Sequence, residues 1–257
     1  PPRVAAADPI PVAAVPAYST PGPGAVAPAA AEPGAEASTD DLTGLDRRRR
    51  DDAAAGRSYF AETALTAPRG RATLDLRFPA LPVVAAGARF GVTDRLELGV
   101  NTLGIVDEGG AYGLSVKGQL WRSERLAVAA GLNTYTIDDE TLYNPHVEAT
   151  ACLDGDCVGA VTVSLNFLGF TDEEAVPVLA GVGGAYGRTV QLIGELHQTR
   201  DDGDTVTGGF VGMRMAGGRF ALDAGLGFVV ATDGGCSDCS GSDDAGAFPF
   251  FGMATRL

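Results

Sequence analysis

Val161-Thr-Val-Ser-Leu-Asn-Phe167 is the stretch whose reading decides the fold. Val161, Val163, Leu165 and Phe167 alternate with Thr162, Ser164 and Asn166. A period of two sends successive side chains to opposite faces, so this is a strand with one apolar and one polar side. Outward from it the same texture recurs. Leu74, Leu76 and Phe78 alternate with Thr73, Asp75 and Arg77, and Leu96, Leu98 and Val100 with Arg95, Glu97 and Asn101. Phe220, Leu222, Leu226 and Phe228 share a face opposite Asp223. Twelve such segments are marked by intervening turn residues: 71–78, 83–91, 95–105, 111–121, 125–136, 143–152, 157–168, 175–186, 189–199, 204–215, 218–231 and 246–257. Segments of about ten residues match tilted strands crossing a bilayer, whereas strands of soluble domains average about 5–6. The pattern predicts an all-β protein: a closed antiparallel up-and-down transmembrane β-barrel of about 12 strands over residues 58–257. Gly and Ala crowd the inner faces, as in strands that bend and close on themselves.

Alternate connections differ in kind. One set is short: Thr93-Asp94, Arg122-Ser123-Glu124, Leu153 to Asp156, Gly187-Arg188 and Ala216 to Gly218. The other is mostly longer and acidic, with Asp107 and Glu108; Asp138, Asp139 and Glu140; Asp172, Glu173 and Glu174; Asp201, Asp202 and Asp204; and Asp233, Asp238, Asp243 and Asp244. Barrels of the outer membrane have short periplasmic turns and longer outer loops. An even strand count then places the N-terminal arm and the C-terminus in the periplasm.

Residues 1–57 read differently. They are rich in Pro, Ala and Gly and have no hydrophobic period, which predicts a flexible, extended arm. One helix is expected within it, over Asp40 to Ala55, capped by Ser38, Thr39 or Asp40. The run Arg47 to Arg50 is read as an anchor for anionic lipid or polymer, or as a solvated cluster neutralised by Asp46, Asp51 and Asp52.

Composition sets outer limits. The 257 residues are 45 % hydrophobic, too apolar for a fully disordered chain, and no apolar run reaches the ~18 residues of a membrane helix. A net charge of −14 speaks against nucleic acid as a partner.

The inner faces collect Asp75, Arg77, Arg89, Glu97, Lys117, Glu148, Glu195, His197, Arg214 and Asp223. Charges of both signs facing inward imply a constriction that selects solutes or a salt-bridge network that braces the barrel. Cys152 and Cys157 enclose one short turn, and Cys236 and Cys239 lie in one long loop; two close pairs in an exported chain read as local disulfides. They would lie on opposite sides of the membrane, so no joint metal site is expected. The DGD stretches at Asp154 and Asp201 lack the spacing of a dedicated Ca²⁺ loop, which leaves weak divalent binding at the outer loops. His146 has Glu148 and Thr150 nearby, and His197 has Glu195 and Thr199, but no serine sits in a nucleophile motif. No enzyme activity and no cofactor are expected.

Three stretches, FGVTDRLELGV (Phe90 to Val100), PVLAGVGGAYGRTVQLIGELH (Pro177 to His197) and the ending FPFFGMATRL, resemble bacterial outer-membrane β-barrel proteins of the porin-like, largely uncharacterised kind. In such proteins the C-terminal assembly signal combines a Gly, alternating hydrophobics and a terminal aromatic. Gly252 and Met253 fit it, while Thr255 and Leu257 depart from it. The expected function is a passive channel for small polar solutes with an acidic, cation-preferring outer mouth. The alternative is a structural barrel that holds a periplasmic arm or an outer partner. Expected partners are outer-membrane lipid, divalent cations at the outer loops and a periplasmic partner for the arm.

Overall fold

The computed structural model describes residues 42–57, 62–80, 83–105, 109–137, 140–170, 178–201, 204–232 and 244–257. The strands are β1 (Ala72–Ala80), β2 (Val83–Gly91), β3 (Leu96–Ile105), β4 (Gly109–Arg122), β5 (Leu126–Ile137), β6 (Glu140–Cys152), β7 (Gly159–Phe167), β8 (Gly169–Phe170), β9 (Val178–Tyr186), β10 (Val190–Asp201), β11 (Asp204–Ala216), β12 (Phe220–Thr232) and β13 (Asp244–Arg256). Both β7 and β8 pair with β6, so β8 continues β7 beyond a break at Leu168. With β7 and β8 taken as one strand, each strand pairs antiparallel with its neighbours in the chain, and β1 pairs with β13 from Thr73↔Arg256 to Phe78↔Phe251. The last pairing closes a 12-strand up-and-down barrel, which leaves no open sheet edge.

Alternation sets which face is which. On β7, Val163 is 55 % exposed while its neighbour Ser164 is 5 % exposed. Leu74, Leu98, Val100, Leu114, Leu192, Val211 and Leu226 also point outward, and the inward positions are polar or small. Outward aromatics gather toward the two rims. Phe90, Trp121, Tyr186 and Phe220 lie beside the short turns, and Tyr112 and Tyr143 lie toward the long loops. An apolar band flanked by aromatic girdles is the outer surface a bilayer demands.

The sole described helix, α1 (Gly44–Asp51), lies across the short-turn end. Its N-cap is Thr43, not one of the earlier positions expected from sequence. Thr43 Oγ1 accepts the Asp46 N–H at 3.2 Å and donates to the Asp46 carboxylate at 2.6 Å. The helix also ends earlier than expected, at Asp51, because the chain then enters the barrel.

The residues 42–57, placed in a flexible arm by their composition, are therefore built into the barrel. Leu45 is fully buried, and the arginine run is dispersed over separate partners. Arg47 pairs with Asp156 at 2.9 Å, while Arg49 donates to the carbonyls of Thr66 and Ala67, both at 2.7 Å. Of the four, Arg50 pairs with its chain neighbour, Asp51, at 2.7 Å. The expected self-neutralised cluster thus holds for Arg50 with Asp51 only, while Arg47 and Arg49 reach partners in the barrel. The earlier part of the arm, residues 1–41, lies outside the described residues.

Substituting Val163→Arg should cost roughly 2–4 kcal/mol of stability in lipid vesicles, because a charge on the lipid face near mid-membrane has no water. Leu153→Arg, in a short turn, should fall within about 0.5 kcal/mol of the parent. Urea titration of vesicle-folded protein reads both.

Candidate functional site

The centre of the barrel is occupied by the chain itself. After α1, residues 52–57 rise into the interior from the short-turn end, and residues 62–67 descend again toward β1. The two limbs meet at an antiparallel bridge between Arg57 and Glu62. Small wall residues make the room. Ala53 and Ala54 pack on Ala221 and Ala254, while Leu45, Ala55, Ala64 and Leu65 pack on Ala127, Ala129, Ala160 and Cys157. Only a void of about 20 Å³ separates the hairpin from β6, β7, β9 and β11.

A buried backbone needs a partner for each N–H and C=O, and the wall supplies them. Ala64 N–H donates to Thr150 Oγ1 at 2.9 Å, and Gln119 Nε2 donates to Ala64 O at 2.9 Å. Ala67 N–H donates to the Glu97 carboxylate at 2.5 Å, and Thr66 Oγ1 to Asp94 O at 3.0 Å. Ala53 N–H reaches Gly217 O at 2.9 Å, and Arg256 donates to the carbonyls of Arg49 and Asp52, both at 2.8 Å.

Above this layer lies an ionic belt shared by hairpin and wall. Arg57 pairs with Asp223 at 3.0 Å and lies 3.7 Å from Asp75. Burial pulls its guanidinium below the ordinary value against the opposing pull of Asp223 and Asp75. Arg214 grips Asp223 through two bonds, 2.7 and 3.1 Å, and reaches Asp52 at 3.5 Å. Arg77 pairs with Asp75 at 3.2 Å, and Lys117 with Glu62 at 2.7 Å and Glu97 at 3.3 Å. Breaking one partner of such a buried pair typically costs about 3–5 kcal/mol.

On the long-loop side of the belt the described residues leave space. There a cavity of about 250 Å³ has charged residues at its floor, among them Arg57, Glu62 and Asp75, and a mixed wall in which Asn101, Asn133 and Asn166 alternate with Leu103, Leu142, Leu168 and Leu179. On β10, β11 and β13 the interior is instead filled by Ile193, Phe210 and Phe250, the two rings meeting edge-on at 5.3 Å.

The ten inner-face residues singled out by alternation all lie on inward positions, and most join this belt. Glu195 and His197 form a separate pair on β10. His146 and Glu148 form another on β6, 3.3 Å apart. Each imidazole lies over a glycine of a neighbouring strand, Gly131 under His146 and Gly181 under His197, where a Cβ would stand 2.3 and 2.7 Å from ring nitrogen. One ligand atom each from Glu62, His146 and Glu148 come within 4.8 Å of one another, the described cluster whose donors could hold a metal.

Cys152 and Cys157 form a disulfide. Between them Asp154 is not a free cation ligand. Its carboxylate accepts the N–H groups of Gly159 at 2.9 Å and of Val158 and Asp156 at 3.0 Å, and these bonds, Gly159 first, hold its carboxyl below the ordinary range. Asp156 pairs with Arg47 and Arg188. Glu140 opens β6 and is exposed. In β10 the backbone of Asp201 pairs with Asp204. Asp138, Asp139, Asp172, Glu173, Glu174, Asp202, Cys236 and Cys239 lie outside the described residues.

Sequence reasoning missed the hairpin. Its signal was a cluster of inward alanines near the short turns, too small to fill a barrel among themselves.

No family model and no curated protein matches the sequence. Solved structures do share the fold. The KdgM porin in complex with disordered oligogalacturonate aligns with a TM-score of 0.51 at 9 % identity, over 72 % of this chain and 98 % of that one. The KdgM porin alone gives 0.48 at 8 %, over 72 and 98 % of the chains, and the NanC porin 0.47 at 8 %, over 73 and 99 %. The chain thus has the fold of an outer-membrane β-barrel protein.

Lys117 is the single lysine of the chain and its side chain is 2 % exposed. An amine-reactive reagent should therefore leave Lys117 unmodified in the folded protein and modify it in Arg57→Ala, with mass mapping as the readout. In the short turn, the Asp154 contribution is present above about pH 4 and lost as pH falls through the depressed folded value. The Val158 and Gly159 amide resonances should shift only in that acid range, and adding Ca²⁺ at neutral pH should leave them unmoved.

Proposed function

We propose that the protein is an outer-membrane channel for small polar solutes that rests plugged, with the hairpin of residues 52–67 as its gate. The observation that carries this reading is the cavity of about 250 Å³ that ends on the charged residues Arg57 and Glu62 of the hairpin. The KdgM porin, which shares the fold, is described in complex with an oligogalacturonate, and this supports a polar-solute path through such a barrel. The short turns, the helix and both ends of the barrel chain face the periplasm in this reading, and the long loops face outward. A solute enters this cavity and passes only when the hairpin withdraws.

Withdrawal breaks Arg57 from Asp223 and Asp75, and Glu62 from Lys117. The wall alone retains Arg214–Asp223, Arg77–Asp75 and Lys117–Glu97, so an emptied barrel keeps most of its charges paired. The acidic outer loops raise the local cation concentration and repel anions. A second reading, a non-transporting barrel that anchors the arm, draws on the completeness of the hairpin's bonding.

Planar-bilayer recording separates the two. The parent protein should open rarely, and Arg57→Ala should raise its open probability about tenfold or more, given that ~1.4 kcal/mol is a factor of ten. Cation preference should be strong at low salt and fade near 1 M, where the Debye length falls to about 3 Å. Replacing Asp172, Glu173 and Glu174 by Asn and Gln should weaken it. Silence from well-folded Arg57→Ala and from a barrel lacking residues 42–67 would establish the anchoring reading. Anion preference at low salt would remove the acidic mouth from the mechanism.

A further inference from the structure

His146 is held in an unusual electrostatic setting. Its Nδ1 lies 3.2 Å from the carbonyl oxygen of Asn144, which can only accept, so Nδ1 carries the proton and Nε2 presents a lone pair. Nε2 has no hydrogen-bond partner, and its side chain is 1 % exposed. It stands 3.3 Å from Oε1 of Glu148, whose side chain is 2 % exposed and whose Oε2 is also without a partner. Two acceptors facing each other away from water need a proton or a metal ion between them.

The neighbouring ammonium is committed elsewhere. Lys117 directs its donors at Glu62 (2.7 Å), Gly56 O and Thr63 O (both 3.3 Å). Glu62, Glu97 and Glu148 surround it as three carboxylates, with Arg89 as the further cation of the cluster.

We propose that Glu62, His146 and Glu148 bind a divalent transition-metal ion of the Zn²⁺ class, which fastens the hairpin to the barrel wall. An imidazole nitrogen with two carboxylate oxygens is a donor set that such ions accept. Ligand atoms each about 2.0–2.1 Å from a tetrahedral ion stand roughly 3.3 Å apart, the spacing of Nε2 and Oε1 here. The second sphere is in place, because the Asn144 carbonyl fixes the tautomer. Gly131 is what admits the ring: a Cβ there would stand 2.3 Å from Nε2. Two ligands come from β6 and one from the hairpin, so the ion crosses the boundary that gating must open. From sequence no metal was expected, since Glu62 is 84 positions before His146 and the two meet only after the hairpin enters the barrel.

The test uses the full chain in detergent, stripped with a chelator and titrated with Co²⁺, then with Zn²⁺ in competition. The expected result is one ion per chain, a visible absorption band, and displacement of Co²⁺ by Zn²⁺. His146→Gln and Glu148→Gln should lose the band. Gly131→Ala should weaken binding by about 10–100-fold while the barrel keeps its heat-modifiable mobility. Hydrogen exchange in residues 62–67 should slow on adding Zn²⁺ to the parent protein and not to Glu62→Gln. Absence of stoichiometric binding by folded protein overturns the proposal and leaves a shared proton between Nε2 and Oε1. Equal binding by His146→Gln also overturns it and assigns the ion to the acidic loops. Binding and exchange are read without conductance, so a silent channel would sink the gating reading and leave this one standing.

Discussion

A closed barrel in a membrane must turn apolar side chains to the lipid, so the alternate residues of every strand point inward, and this constraint organises the whole molecule. In this chain many of those inward residues are charged or amide-bearing, and those buried at the short-turn end need partners there. The hairpin answers that need. Its backbone takes the donors and acceptors of Thr150, Gln119, Glu97 and Arg256, and its Arg57 and Glu62 complete the ion pairs of Asp223, Asp75 and Lys117.

The same constraint explains where the small residues are. A wall of leucines would fill the interior by itself. Ala127, Ala129, Ala160, Ala221 and Ala254 instead leave space against which Leu45, Leu65 and the alanines of the hairpin pack. Shape and charge are thus complementary at one end of the lumen only. Toward the long loops the wall changes to a mixture of Asn and Leu around a cavity, and no chain segment among the described residues fills it. A barrel that is packed at one end and hollow at the other is poised between a brace and a conduit. The energetic difference lies in a few ion pairs that cross from hairpin to wall.

Those crossing pairs set the scale of any opening motion. Each costs several kcal/mol to break while buried, but most wall charges keep a second partner on the wall. The hairpin therefore rests firmly seated without being the sole support of the barrel. The start of the returning limb, where Glu62 approaches His146 and Glu148, is the place where added positive charge would change that balance most.

The strands, their boundaries to within a few residues, the even count and the short-turn disulfide were legible in the chain, because alternation and turn residues are local properties. Val161 to Phe167 shows its two faces without reference to anything distant. The inward placement of Asp75, Arg89, Lys117, Arg214 and Asp223 followed from the same periodicity. Their partners did not. Arg57 and Asp223 are 166 positions apart, and Glu62 and Lys117 are 55 apart. Residues 42–67 carry no period that distinguishes a lumenal hairpin from a solvated linker, and a run such as Arg47 to Arg50 looks self-contained until each guanidinium is seen with its own partner. Sequence alone determined that a barrel forms and which side chains face its interior. Only the tertiary structure decided that the chain itself occupies that interior, since burial of a polar segment depends on partners that closure of the barrel brings together.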